Sequence, residues 1–263
     1  MHQSQRRWGS ARDCYKRSHG GRANGWPESF PLGCRTLAVQ AVITGIGPPE
    51  VITVGTVADC QALYSEVSTH ATNLVTAHRL LGDAVPDPQD PNYTAARRGR
   101  RVGEVSLNRG IVVMTVAAWQ AYVEELARTL FEAIRPPAND PSYAAYRVHR
   151  AQGLSRLGRF NTPNAYNTRQ LLLEAGFDVN GYWTWTVGRE HLTVSDVQSR
   201  LDDWLAVRHR IAHGADLPSV DILASRSDGT RTLHLRNAEA CIRFFERLVL
   251  CTSDGARTEF SIQ

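Results

Sequence analysis

Ser195-Asp196-Val197-Gln198 and Arg208-His209-Arg210-Ile211-Ala212-His213-Gly214 bracket the stretch on which the fold reading turns. The first quartet has the S-x-x-Q form of a capping box, in which two side chains satisfy orphan N–H groups at a helix start. Between the brackets, Val197, Leu201, Trp204, Leu205 and Ile211 recur with a helical period and predict one buried stripe. Gly214 suits the left-handed position just past a helix end. The stretch therefore reads as one long amphipathic helix that closes on an arginine, two histidines and a glycine.

Working outward, the same period organises the rest of the body. Val57, Leu63, Val67, Leu74, Ala77 and Leu81 predict a first helix that ends at Gly82, with Pro86 and Pro88 beyond it. A polar, Pro-rich loop is expected next, carrying Arg97-Arg98-Gly99-Arg100-Arg101. A second long helix is expected over residues 106–134, stopped by Pro136-Pro137. Shorter helices are expected over 142–157 and 165–175, the latter capped from Asn161-Thr162-Pro163-Asn164 and ended by Gly176. Residues 177–192, with Trp183 and Trp185, read as irregular or briefly extended, and the two indoles as core or dimer contacts. Asp228-Gly229 signals a turn, with 231–235 extended. Asn237 is expected to cap a last helix whose Ala240, Cys241, Phe244, Phe245, Leu248 and Val249 face inward. The fold class is mainly α: a helical bundle over residues 56–263, preceded by a disordered N-terminal segment.

Bulk composition narrows the class. The chain has 263 residues, 42% of them hydrophobic, which suits a globular domain. No apolar run reaches the roughly 18–20 residues that span a bilayer, so no membrane partner is expected. Five scattered cysteines, without a C-x-x-C pair, argue against a disulfide framework or a thiolate zinc site. A reducing, cytoplasmic setting fits best. The net charge of +4 arises in residues 1–55, which are rich in Gly, Arg, Ser and Pro and lack any sustained period. Two readings of that head stand side by side: a mis-called leader, with translation starting near Val51 or Val54, or a basic nucleic-acid arm. The body is close to neutral, so nucleic-acid binding there must come from a local patch.

The helix end offers a specific chemistry. Residues four apart share a helix face, so His209 and His213 should lie one above the other. Arg208 is five residues before His213, about 140° round an ideal helix, within reach of a long side chain that curls back. Histidine titrates near neutral pH and can give or take a proton. A guanidinium holds phosphoryl oxygens in a fork. RNA brings its own nucleophile, the 2′-hydroxyl, so an imidazole and a guanidinium are the minimum equipment for cleaving it without a metal. Two copies of the helix end, facing each other in a symmetric dimer, would supply base, acid and clamp. The same Arg208 and His213 also fit a solvated helix end with a cation near its negative pole. His209 and His213 as a zinc pair find no third ligand in the sequence, and Arg210 stands where a metalloprotease helix carries its glutamate. No metal or cofactor is expected.

Arg208-His209-Arg210-Ile211-Ala212-His213-Gly214 resembles the R-polar-x-x-x-H signature of HEPN domains. Ala117-Ala118-Trp119-Gln120-Ala121-Tyr122-Val123-Glu124-Glu125-Leu126, then Thr162-Pro163-Asn164, Leu171-Leu172, Gly176 and Trp183, resemble in order the RiboL-PSP-HEPN branch. The resemblance covers roughly residues 60–250. It implies an α-helical dimer with a composite cleft, and metal-independent endoribonucleases of the kind used as toxins or in phage defence. Carried over by position, Arg208 and His213 would be catalytic, and His209 would be the polar residue that orients the site, where the family often has asparagine. An antitoxin or defence-system partner is implied as well. Some relatives only bind RNA, a nucleotide or a protein, so the second function class is a silent HEPN-fold binding module. Arg97, Arg98, Arg100, Arg101 and Arg210 are the candidate contacts to RNA phosphates; a solvated loop is the plainer reading of the first four.

Overall fold

A computed structural model describes residues 55–83, Gln89 and residues 92–260, without the side chains of Ala95, Ala96, Arg98 and Arg100. The expectations for the head of the chain lie outside the described residues. Six helices carry the body: α1 (Val57–Asp83), α2 (Tyr93–Ala133), α3 (Tyr143–Leu157), α4 (Ala165–Glu174), α5 (Val194–Ala212) and α6 (Leu235–Phe260). Two short antiparallel hairpins interrupt them. Strand β1 (Trp185–Val187) pairs with β2 (Glu190–Leu192), and β3 (Ala224–Ser225) with β4 (Arg231–Thr232). No helix among the described residues is long and apolar enough to cross a membrane.

The frame is a bundle of α1, α2 and α6. Cys60 Sγ lies 3.5 Å from Thr129 Oγ1, while Gly110 packs on Leu74 and Gly103 on Leu81, so α1 and α2 run in opposite directions. Asn108 Nδ2 donates to Leu233 O just before α6, and the Tyr122 and Ser253 hydroxyls meet at 2.7 Å, so α6 runs parallel to α2. Trp119 sits at the centre, stacked on Tyr122 with ring centroids 5.6 Å apart, and it meets Phe245 at 5.9 Å and Trp183 at 6.4 Å. Burial alone contributes roughly 1.5–3 kcal/mol for each large apolar side chain of this kind. The polar edges of the cluster are satisfied: Trp119 Nε1 donates to Pro163 O, and Trp183 Nε1 to Thr252 Oγ1. Trp183 and Trp185 are thus core residues, as the sequence suggests, and Trp183 ties the segment after α4 to α6. Alpha3 leans on the C-terminal end of α2, where Gly153 leaves room for the Phe131 ring.

Three expectations need correction. Alpha2 begins at Tyr93, thirteen residues before the predicted start, so Arg97–Arg101 is helical rather than a loop. Its first turns have no apolar stripe of their own; the helix persists there because its Gly103 meets Leu81 of α1. The capping box of α5 is Thr193 with Asp196, not Ser195 with Gln198: the Thr193 hydroxyl accepts from Asp196 N–H, and Asp196 accepts from Thr193 N–H at 2.8 Å. Alpha6 starts at Leu235, so Asn237 lies inside its first turn. Asn237 still serves the helix start, because its Oδ1 accepts from His234 N–H and its Nδ2 donates to Ile222 O.

Candidate active site at the end of helix α5

Alpha5 is fixed at both ends. At its start the Thr193–Asp196 box holds the first turn, and these hydrogen bonds keep the Asp196 carboxyl below the usual range. Its buried flank carries Val197, Leu201, Trp204, Leu205 and Val207 against the core, with Ile211 half-buried. At its end His213 is the C-cap residue, and Gly214 takes a φ of 64°. Gly214 N–H donates to Ile211 O and Ala215 N–H to Arg210 O, the paired bonds of a Schellman ending. The last carbonyls are thereby occupied, and the helix stops sharply at His213 rather than fraying.

That ending sets the side chains. The rings of His209 and His213 lie 4.4 Å apart at 54°, one above the other as their spacing predicts, and both are exposed. Arg208 is half-buried on the neighbouring flank, one turn after Trp204. Among the described residues, neither Arg208 nor His213 has a side-chain hydrogen bond or ion pair. Other arginines are committed: Arg150 pairs with Glu132, Arg200 with Glu190 and Arg231 with Asp221. A guanidinium with no ion pair among the described residues keeps its N–H fork available to an incoming anion. Among the described residues, no three His, Cys, Asp or Glu side chains converge as metal ligands.

The model of the RiboL-PSP-HEPN family matches residues 65–255. The chain belongs to the RiboL-PSP-HEPN family. No curated protein and no solved structure matches it. The matched span runs from the first turns of α1 to the last turns of α6, so the helical body is the HEPN domain and the end of α5 lies well inside it.

The remaining site expectations fall out unevenly. Arg210 is exposed beside the histidine pair. Arg97 and Arg101 are exposed on α2, a different helix, and the side chains of Arg98 and Arg100 lie outside the described residues. Cys60 and Cys241 are core residues, and burial pushes the Cys60 thiol up to about 11, which removes it from nucleophilic chemistry at neutral pH. Sequence reasoning missed a cavity of about 390 Å³ beside the earlier turns of α5, lined by Arg200, Asp203 and Trp204. Arg200 and Asp203 share a helix face at i, i+3, which was the only local signal. The opposite walls come from β2, the loop before β3 and α6, which no spacing rule links to α5.

Proposed function

We propose that this HEPN domain is a metal-independent endoribonuclease whose active site is the end of α5, completed by a second copy of the chain. The observation that carries the reading is Arg208: a half-buried arginine with no acidic partner among the described residues, next in the chain to a pair of exposed imidazoles at a sharply ended helix. In the proposed reaction one imidazole takes the proton of the RNA 2′-hydroxyl. The resulting oxygen attacks the adjacent phosphorus, the bond to the 5′-oxygen breaks, and a second, protonated imidazole gives that oxygen its proton. The products are a 2′,3′-cyclic phosphate and a 5′-hydroxyl end. Arg208 binds the phosphoryl oxygens, where charge accumulates in the transition state. His209 and His213 lie 4.4 Å apart on one side of the helix end, whereas in-line displacement needs base and acid on opposite sides of the phosphorus, so in this reading acid and base come from two chains. Use as a toxin or in phage defence is part of the same proposal and rests on the family.

The test is cleavage of labelled RNA in excess chelator. The unmodified protein is expected to cut; Arg208→Ala and His213→Ala are each expected to lose about a hundredfold or more, because each removes a group that acts only in the transition state. Undiminished cleavage by both variants would overturn the assignment. A second reading, a binding module, is favoured by one feature: position 209 carries an imidazole where the family often carries an amide. That reading predicts RNA binding without cleavage, and recovery of cleavage on His209→Asn.

A further inference from the structure

The cavity beside α5 has the chemistry of a nucleobase site. Four carboxylates stand at it. Three are engaged: Asp196 in the capping box, Glu190 with Arg200 at 3.3 Å, and Asp221 with Arg231 at 3.3 Å. The fourth, Asp203, is half-buried and has no hydrogen bond or ion pair among the described residues. Beside it Trp204 is only 2% exposed, and its indole N–H has no partner among the described residues. Phe244 adds a second aromatic wall. A volume of about 390 Å³ falls within the range of small-ligand pockets, roughly 300–1,000 Å³.

An unpaired carboxylate seeks hydrogen-bond donors, and it accepts two at once when they lie side by side. Among the four RNA bases, only guanine presents two adjacent donors on one edge, its N1–H and its 2-amino group. Its neighbouring O6 is an acceptor, which suits the guanidinium of Arg200 on the same face of α5, where one nitrogen pairs with Glu190 at 3.3 Å and the remaining N–H groups have no other partner among the described residues. Two aromatic walls suit a flat ring. Asp203 also precedes Arg208 by five residues on α5, about 7.5 Å along the axis and about 140° round it, so a strand held at both must wrap the helix.

We infer that this cavity binds a guanine base, with Asp203 accepting from N1–H and the 2-amino group, and that a guanine held there selects where the strand is cut. The selection of the cut site rests on the nuclease reading above; guanine binding does not. The pocket therefore predicts a base preference set by the helix that carries Arg208 and His213.

The experiment is calorimetric titration of the full chain with guanosine, inosine and adenosine 5′-monophosphates, repeated with Asp203→Asn, alongside cleavage of RNAs that differ in one guanine. Guanosine monophosphate is expected to bind best. Inosine monophosphate, which lacks only the 2-amino group, and the Asp203→Asn variant should each weaken binding about tenfold or more. Asp203→Asn should fold at least as stably as the native chain. Burial and the neighbouring Asp221 and Asp202 raise the Asp203 carboxyl, so its ionised form opposes folding at neutral pH. Equal binding of guanosine and inosine monophosphates, or no binding of either, overturns the pocket without using a variant. Guanosine-selective binding by a protein that does not cut RNA keeps the pocket and removes the nuclease. Cutting that ignores guanine removes its role in selection.

Discussion

At the scale of single residues, the end of α5 depends on one backbone conformation. Gly214 has a φ of 64°, and the Schellman bonds from Gly214 N–H and Ala215 N–H hold His213 at the last turn. A Cβ at this position would meet nothing within 4 Å, so crowding is not the obstacle. The strain is local to the backbone. Gly214→Ala should therefore destabilise the fold by about 1 kcal/mol, read as a lowered midpoint in urea. It should reduce cleavage more than that small loss of stability accounts for, because the His209–His213 pair sits on the affected turn. A variant as active as the native chain would mean that the ending does not position the imidazoles. This much of the site was legible in the sequence: two histidines four apart and a glycine after them dictate both the stack and the stop. The unpaired state of Arg208 was not legible, since it depends on which acidic residues the fold brings near. Asp203 was silent for the same reason, being one aspartate among several until β2 and α6 enclose it.

At the scale of elements, the caps make stability depend on pH in a defined direction. Asp59, Asp140, Asp196 and Asp228 each accept hydrogen bonds from a nearby Thr or Ser hydroxyl and backbone N–H, and each carboxyl is held below its usual range. A carboxyl lowered in the folded state stabilises the fold above its unfolded value, near about 3.9. The contribution is lost as pH falls through the folded value. Asp196→Asn should thus melt at a lower temperature than the native chain at pH 7, and the gap should close as the solution is taken down to pH 2. A gap that persists in strong acid would show that the Asp196 carboxylate is not what holds the first turn of α5. Helix boundaries show where sequence patterns fall short. Thr193 rather than Ser195 caps α5 because the chain leaves β2 at Leu192 and must turn immediately. The arginine-rich start of α2 carries Gly99 and Gly103 and has no apolar period, so local preference alone marks it as a loop. It is a helix because α1 already lies there, and Gly103 admits Leu81 at close range. Tertiary contact overrode a weak local signal, and it did so where the pattern had least to say.

At the scale of the whole molecule, the proposed chemistry needs more than one chain. A single body presents His209 and His213 side by side, 4.4 Å apart, with one Arg208 at one helix end, while acid and base in the same step must stand on opposite sides of the phosphorus. The bundle itself is complete without help: Trp119, Trp183 and Phe245 fill its centre, and their polar edges find partners inside the chain. Pairing would therefore join two folded bodies rather than finish one, and a two-fold axis beside the end of α5 would bring like to like. Such an association follows mass action. Light scattering across a dilution series should give a mass near twice the 29.2 kDa of one chain at high concentration, falling toward one chain on dilution. Cleavage per chain should fall over the same concentrations, because separated chains lack an imidazole on the far side of the phosphorus. Arg208→Ala and His213→Ala should leave the mass curve in place while removing cleavage, which separates assembly from chemistry. Cleavage per chain that stays constant down to concentrations where only single chains scatter would mean that one copy suffices, and a second proton-transfer group would then have to be sought within the same body.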